Sequence, residues 1–289
     1  YLLSDALSYF ADIGLQDGFR HCEVRNMGIS QTLVTAPSTC AIVEPLIGLV
    51  LQGSKSAQYG TEKVQYKTGD VIVIGHTLPM MSSLINATPE RPYIGLYVRI
   101  DMQIMRGVFN DMGGKTPDET GPTLEFGPAS ADFIESMARM FKLRHDPIAE
   151  QTLGDAALRE VYFRILSSDR GHALRRLVHA DSKVNQVARA ISHIQTNYRS
   201  PIKASELASI SGMSASVFYD AFKRVTANSP LQFQKDLRLT EAHSLLRQTT
   251  KPISEVAYSV GYESAAQFSR DFSKKFGAPP KTFAGNSLA

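Results

Sequence analysis

The chain has 289 residues, of which 43% are hydrophobic and 20% are charged, a composition that excludes fibrous and disordered proteins. This length suffices for two domains, and no apolar run reaches the roughly eighteen residues that a membrane span needs. The net charge of +3 hides an asymmetry, because residues 1–180 carry 17 Lys+Arg against 20 Asp+Glu (−3) and residues 181–289 carry 14 against 8 (+6). We therefore expect only the C-terminal part to meet a polyanion.

The N-terminal stretch "YLLSDALSYFADIG" predicts a helix, because Leu3, Leu7, Phe10 and Ile13 share one helical face. The stretch lacks the basic start and the small-residue cleavage site of a signal peptide. We therefore expect a cytoplasmic protein without a membrane segment.

Residues 31–100 predict a series of short strands, rich in branched and aromatic residues and separated by turn residues. The predicted strands are "TLVTA", "LIGLVLQ", "KSAQY", "KVQYK", "DVIVIG", "MSSLINA" and "YIGLYVRI". Such a series is typical of a β-barrel or a β-sandwich.

After residue 100 the hydrophobic period becomes helical. Three helices are predicted, in "DMQIMRGVFNDMG", "SADFIESMARMFKLR" and "TLGDAALREVYFRILSS". The second of them places Phe133, Ile134, Met137, Ala138 and Phe141 on one side, which is the spacing of a helix with a buried face.

The last third of the chain shows no strand pattern. Its predicted helices, punctuated by Pro and Gly, span roughly 182–198, 204–211, 214–225, 230–247, 253–259 and 264–276. The chain is thus divided into a domain over residues 1–170, a linker over 171–181 and an all-α domain over 182–289. The predicted fold class is a multidomain α+β protein, with strands and then helices in the first domain.

A supersecondary unit occurs twice in the all-α domain. "SELASISGMSASVFYDAFKRVTANSP" and "SEVAYSVGYESAAQFSRDFSKKFGAPP" share Glu, Ala and Gly positions 49 residues apart and Phe and Pro positions 50 apart. In each copy a small residue, Ala208 or Ala257, allows close packing of two helices, and Gly212 or Gly261 makes the turn between them. The pattern predicts two helix-turn-helix units, joined rigidly by a long helix over "PLQFQKDLRLTEAHSLLRQ".

In a helix-turn-helix unit the second helix enters the major groove of DNA, so its outer residues are candidate base and phosphate contacts. In the first copy these are Ser214, Ala215, Ser216, Tyr219, Asp220, Lys223 and Arg224. In the second copy they are Ser264, Ala265, Gln267, Arg270, Asp271 and Lys274, with Lys275 nearby. Because Arg270 can bind guanine and Gln267 can pair with adenine, we expect the second copy to carry more of the direct readout. The first is expected to rely on Tyr219 and on phosphate contacts.

The tandem units, especially "ISEVAYSVGYESAAQFSRDFSKKFGAPPKTF" and "LQFQKDLRLTEAHSLL", resemble the DNA-binding domain of AraC/XylS-type bacterial transcription regulators over about 105 residues. The segment "LVLQGSKSAQYGTEKVQYKTGDVIVIGHTLPMMSSLINATPERPYIGLYVRID" is similar to the N-terminal domain of one AraC subgroup. The resemblance implies a cupin-like barrel that senses a small-molecule effector, and promoter DNA and RNA polymerase as partners. It also implies dimerisation through residues 131–168 and effector-dependent placement of the DNA-binding domains. The first unit departs from its relatives at Ser216 and Asp220, where larger or basic residues are common.

An enzymatic cupin would need several histidines on facing strands to hold a metal, and the barrel segment offers only His76. We therefore predict neither a metal site nor a cofactor nor catalytic residues. Cys40, His76, Tyr97 and Arg99 are candidate polar residues of an effector pocket. Cys22 and Cys40 also raise a thiol-sensing mechanism, although no neighbouring base supports it and two buried, inert thiols are favoured.

Three functional hypotheses follow. The leading one is an effector-controlled, sequence-specific transcription regulator, an activator by family analogy. The second is an architectural DNA-binding protein whose barrel only dimerises. The third is a metal-dependent cupin enzyme tethered to DNA.

Overall fold

The computed structural model describes residues 1–14, 18–33, 39–59, 62–114, 124–179, 183–249 and 251–284. Within these ranges no helix is both long and apolar enough to cross a membrane.

In the described residues of the first part of the chain, ten strands form two antiparallel sheets. They are β1 (Gly18–His21), β2 (Met27–Thr32), β3 (Thr39–Val43), β4 (Leu46–Gln52), β5 (Ser54–Tyr59), β6 (Glu62–Lys67), β7 (Asp70–Ile74), β8 (Leu78–Ile85), β9 (Tyr93–Arg99) and β10 (Leu124–Pro128). The larger sheet has the order β1-β2-β9-β4-β7-β10, and the smaller has the order β3-β8-β5-β6. Gly53, at φ +85°, makes the step from β4 in one sheet to β5 in the other.

Strand β7 of the larger sheet is buried on both faces, which is why its residues 71–74, "VIVI", are all apolar. Successive side chains of a strand point to opposite faces. Val71 and Val73 accordingly pack with the helices of the domain, whereas Ile72 and Ile74 pack in the space between the two sheets. The two sheets therefore enclose an interior of their own, separate from the core beneath the helices.

The described ranges of this domain also contain the α-helices α1 (Leu2–Ile13), α2 (Met102–Asp111), α3 (Ala131–Lys142), α4 (Pro147–Leu166) and α5 (His172–Val178). The predicted face of α3 is confirmed at Phe133, Met137 and Phe141, which are buried. The predicted face of α1 is wrong at Leu7, which is 40% exposed. Leu2, Ala6, Tyr9 and Phe10 are buried there instead, and Arg144 pairs with Asp5 from the end of α3.

The segment predicted as a linker contains α5, which packs in the core of the first domain. Ala173, Leu174, Leu177 and Val178 are buried with residues of the larger sheet and of the other helices. The backbone N–H of Ala173 donates to the carboxylate of Glu125 on β10, over 2.9 Å. The described part of the first domain therefore extends to the end of α5.

The second domain consists of α6 (Lys183–Asn197), α7 (Ala204–Ser211), α8 (Ala215–Thr226), α9 (Pro230–Gln248), α10 (Ile253–Ser259) and α11 (Ala265–Phe276). Each lies within one residue of its predicted bounds. The long helix α9 contributes Phe233 and Leu237 to one buried cluster and Leu239, Ala242 and Leu246 to a second. A single helix therefore belongs to both cores and fixes one relative to the other.

Candidate nucleic-acid interface and effector cavity

The first helix-turn-helix unit consists of α7 and α8. Gly212 ends α7 in the left-handed conformation, at φ +67°, and Ser214 is the residue immediately before α8. Phe218 and Phe222 lie one helical turn apart, and both are fully buried. The ring of Phe222 meets Phe233 of α9 edge-on, with 5.6 Å between centroids. These aromatic contacts anchor the inner face of α8 and leave its opposite face outward.

The second unit consists of α10 and α11 and repeats this arrangement. Gly261 makes its turn at φ +92°, and Ser264 Oγ accepts a hydrogen bond from the backbone N–H of Gln267. Phe268 and Phe272 are fully buried, as are their counterparts in the first unit. The duplication seen in the sequence is therefore a duplication in three dimensions.

The structure presents most of the predicted DNA-contacting residues outward. All seven candidates on or next to α8 are exposed: Ser214, Ala215, Ser216, Tyr219, Asp220, Lys223 and Arg224. On α11, Gln267, Arg270 and Lys274 are exposed and Ser264 is half-buried. Arg270 makes no ion pair with any other residue in the described ranges, so its guanidinium is available to a ligand.

One candidate in α11 points the wrong way. Ala265 is half-buried and packs against the core of the second unit, whereas Ala266 is exposed. The helix is fixed by two ion pairs to α9: Asp271 with Lys235, at 3.4 Å, and Lys275 with Asp236, at 2.7 Å. Asp271, predicted as an outward contact, is half-buried and therefore positions α11 together with Lys275, and Ala266 replaces Ala265 as an outer residue.

Val217 is an outer residue that the sequence reasoning omitted. Its side chain is 44% exposed near the N-terminal end of α8, between two predicted contact residues. The register of the repeat was sufficient to find it, because Phe218 corresponds to Phe268 and Val217 therefore corresponds to Gln267. Val217 is apolar, however, and therefore lacks the polar side chain by which a base contact is predicted from sequence.

A cavity of about 370 Å³ lies between the two sheets of the first domain. Residues from nine of the ten strands line it: Gly18, Phe19, Ser30, Thr32, Val43, Leu46, Lys55, Tyr66, Ile72, Ile74, Met80, Ser82, Ser83, Leu84, Tyr93 and Tyr97. Most of the lining is apolar, and the polar groups are hydroxyls and one amine. This is the composition expected of a small-molecule site.

The polar groups of the cavity are concentrated around Tyr97. Its hydroxyl lies 3.3 Å from the hydroxyl of Tyr93 and accepts from Ser30 Oγ over 3.2 Å. Gly95 provides the space, because a Cβ there would come within 2.8 Å of the Tyr97 hydroxyl. Lys55 Nζ lies 5.7 Å from the ring centroid of Tyr93. Burial raises the pKa of Tyr93 well above its ordinary value, so the phenol stays protonated and can donate.

Of the four predicted pocket residues, the structure places Tyr97 in the cavity and moves two others out of it. Arg99 ends β9, is exposed, and lines a different, polar cleft with Asp101. His76 is buried outside the cavity. The side chain of Cys40 lies outside the described part of the structure. Cys22 is half-buried, and burial raises the pKa of its thiol to about 12, which disfavours a reactive thiolate.

His76 instead connects the first domain to the first helix-turn-helix unit. Its Nε2 lies 2.5 Å from the carbonyl oxygen of Val225 in α8, and its Nδ1 lies 2.8 Å from that of Thr77. Burial lowers the pKa of the His76 ring, against the opposing effect of the two carbonyls. Nearby, Ile42 of β3 packs on the core of the first unit, and Ala227 packs on the interior between the sheets. The first unit therefore docks on strands that also line the cavity.

The described residues contain no group of three or more His, Cys, Asp or Glu side chains placed to hold a metal ion. His76, the one histidine considered as a ligand in the barrel, has both ring nitrogens against backbone carbonyls. This geometry does not suit a metal ligand, which needs a free nitrogen lone pair.

Comparison with known proteins agrees with this architecture. Residues 23–173 match the family described as AraC-type transcriptional regulator N-terminus, and residues 207–286 match a helix-turn-helix domain family. A helix-turn-helix transcriptional regulator of Staphylococcus aureus is 22% identical over 244 residues, which cover 84% of this chain and 32% of the relative. The lactose operon transcription activator of Staphylococcus xylosus is 30% identical over 99 residues, or 34% of this chain and 36% of the relative. The chain thus spans about a third of the length of the curated relatives it matches.

Among solved structures, ToxT from Vibrio cholerae has the same fold. It superposes with a TM-score of 0.56 at 10% identity, covering 92% of this chain and 97% of ToxT. A second ToxT structure, described as bound to an unsaturated fatty acid, superposes with a TM-score of 0.55 at 9% identity, covering 89% and 93%.

Proposed function

The chain belongs to the AraC family of DNA-binding transcription regulators, and from that membership we propose that it regulates promoters in response to an effector held between its two sheets. The observation that carries this proposal is a shared set of strands. β3, β7 and β8 supply lining residues of the cavity, and the same strands or the turn after them contact α8 and α9. An effector that displaces these strands therefore alters the surface on which the first helix-turn-helix unit docks. The family is one of regulators, so an enzymatic role for the barrel is set aside.

We propose that each unit inserts its second helix in a major groove, with α9 holding the two about one DNA turn, roughly 34 Å, apart. In the second unit, Arg270 binds guanine and Gln267 binds adenine. In the first unit, Tyr219 contacts the DNA and Lys223 and Arg224 bind its phosphates. Lys274 binds phosphate, and the remaining predicted residues, Ser214, Ala215, Ser216, Asp220 and Ser264, lie on or next to the same two helices. The bound duplex is a promoter, and the chain acts there with RNA polymerase as an activator.

Dimerisation through residues 131–168 also remains part of the proposal. The support is the apolar surface of α4, where Ile148, Leu153 and Phe163 are exposed. Exposed large apolar side chains on one helix are typical of an interaction surface.

The effector proposed is an amphiphile with an apolar body and a carboxylate. The apolar lining suits a hydrocarbon chain, and Lys55 and the tyrosine hydroxyls suit an anionic, hydrogen-bonding head. The fatty acid described for the ToxT structure belongs to this chemical class.

A long-chain unsaturated fatty acid such as oleate, used below its micelle-forming concentration, is expected to raise the melting temperature of the full chain. The physical reason is mass action, because a ligand that binds only the folded protein stabilises it by about 2.7 kcal/mol at a hundred times its Kd. In Lys55→Met the oleate-dependent shift should shrink, since the head loses its cation. The corresponding alcohol, which has no charge, should affect parent and variant alike. Equal oleate shifts in the two proteins would remove Lys55 from the site.

Replacement of His76 tests the link between the cavity and the DNA-binding domain. His76→Ala removes the contact with Val225 and leaves the lining of the cavity intact, so effector binding should persist while its effect on DNA affinity falls. Coupling between two sites is typically a 5- to 150-fold change in affinity, and we expect most of it to be lost. The measurement is the promoter-DNA Kd with and without effector. His145→Ala is the matched control, because His145 is exposed and lies near Asp5 of α1. An unchanged response in His76→Ala would contradict the proposed route.

The architectural alternative predicts something different. If the barrel served only to dimerise the chain, DNA affinity would change little with any effector and little between DNA sequences.

A further inference from the structure

The outer face of α8 carries a different chemistry from the outer face of α11, although the two helices occupy equivalent places in their units. Phe218 and Phe222 correspond to Phe268 and Phe272 as buried anchors. By that register Val217 stands where the second unit has Gln267, and Asp220 stands where it has Arg270. Where the second unit has an amide and a guanidinium, the first has a branched apolar side chain and a carboxylate.

Val217 faces solvent at the end of the helix that a helix-turn-helix unit directs at base edges. It is 44% exposed, and its neighbour Phe218 supplies the buried contact with the core. Valine has no donor or acceptor in its side chain, so a base-pair edge offers it a favourable contact only where that edge is apolar. In the major groove that feature is the 5-methyl group of thymine.

Asp220 lies one helical turn further along the same face. Its carboxylate is exposed and makes no ion pair within the described ranges, so no cation of the protein neutralises it. A carboxylate is repelled by phosphates, and at the major-groove edge it can only accept hydrogen bonds. The amino group of cytosine is the donor that a carboxylate characteristically accepts from there.

The spacing allows both contacts at once. Three residues along an α-helix rise about 4.5 Å, which is comparable with the 3.4 Å between successive base pairs. We propose that the first helix-turn-helix unit recognises neighbouring pyrimidines, with Val217 against the methyl group of a thymine and Asp220 against the amino group of a cytosine. This inference rests on the proposed binding of α8 in a major groove, and it gives the first unit a sequence preference of its own.

The test begins with the duplex that the full chain selects from randomised DNA. Each thymine of that duplex is replaced in turn by deoxyuridine, which removes the 5-methyl group and changes no hydrogen-bonding group. In the parent, one such replacement should raise Kd about fourfold, which is the effect of one buried methyl group. The sensitive thymine should lie outside the base pairs that Arg270 contacts. The same replacement should have no effect on Val217→Ser, which puts a polar hydroxyl in place of the apolar side chain, and should keep its effect on Val217→Ile, which retains an apolar side chain there.

The proposed role of Asp220 is tested by replacing its carboxylate with an amide. Asp220→Asn replaces a pure acceptor with a group that pairs with adenine, so the preferred base at one position next to that thymine should change from cytosine to adenine. The selection is repeated with this variant, and Glu62→Gln, which changes an exposed carboxylate on β6 of the first domain to an amide, serves as the control that should leave the preference unchanged.

The outcomes separate the two proposals. The parent could bind a selected duplex and yet be insensitive to deoxyuridine at every thymine outside the base pairs that Arg270 contacts. That result overturns the role of Val217. Equal deoxyuridine sensitivity in the parent and Val217→Ser does so as well. An unchanged base preference in Asp220→Asn overturns the role of Asp220. A parent that selects no duplex at all overturns the proposed function, and this inference with it.

Discussion

Gly261→Ala is expected to disrupt the second helix-turn-helix unit, whereas Gly212→Ala in the equivalent turn is expected to cost only about 1 kcal/mol. Both glycines have positive φ, which costs an L-residue about 1–2 kcal/mol. At Gly261, a Cβ would also lie 2.2 Å from the carbonyl oxygen of Arg199, a backbone atom that cannot rotate away. Such overpacking adds about 1–3 kcal/mol, so we expect a total of roughly 2–5 kcal/mol. At Gly212 the nearest atom is a terminal nitrogen of Arg189, 3.8 Å away.

Hydrogen exchange of the full chain, resolved by peptide, measures this difference where it arises. Peptides from α10 and α11 should lose protection in Gly261→Ala, and peptides from α7 and α8 should change little in Gly212→Ala. Binding to promoter DNA should fall in parallel with the protection of the second unit. Similar losses of protection in the two variants would show that the Arg199 contact does not constrain the turn.

The second large effect is expected at Arg270, the free guanidinium on the outer face of α11. Arg270→Ala should weaken binding to specific DNA by about 1–3 kcal/mol and relax the base preference at one position. Lys274→Ala is the matched comparison, because Lys274 lies one turn further along and is assigned to phosphate. It should weaken specific and nonspecific binding alike, and reduce the dependence of log Kd on log salt by about one.

Salt-titrated gel shifts on a specific duplex and a scrambled duplex distinguish the two roles. If Arg270→Ala binds the specific duplex with the affinity of the parent, Arg270 does not recognise a base. If it loses both duplexes equally, Arg270 is a phosphate contact and the direct readout lies elsewhere on α11.

The C-terminal domain was predictable because its signals are local. Helix formers and apolar residues at helical spacing, bounded by Gly or Pro, indicate these helices without reference to any distant residue. The duplication then identified the packing, since equivalent buried positions recur in both copies. The prediction for Ala265 was wrong because the sequence identifies the DNA-facing helix but does not show which of two adjacent alanines at its start is exposed.

The N-terminal domain was less predictable because strands depend on partners distant in sequence. β1 is exposed throughout and lacks an apolar pattern, while β10 follows a helix and returns to pair with β7. The residues that line a pocket can be predicted only if it is known which face of each strand points inward and how far the cavity extends. Arg99 was excluded because it ends its strand, and His76 because it lies in the turn after β7, where it meets a domain 149 residues away along the chain.

Footprinting of the full chain on its selected duplex tests the central claim most directly. The claim is that two helix-turn-helix units, held at a fixed separation by α9, bind successive major grooves of one duplex. We predict two protected segments about one helical turn apart, with Arg270→Ala losing protection in one segment only. Protection of a single segment, or simultaneous loss of both in Arg270→Ala, would contradict the account.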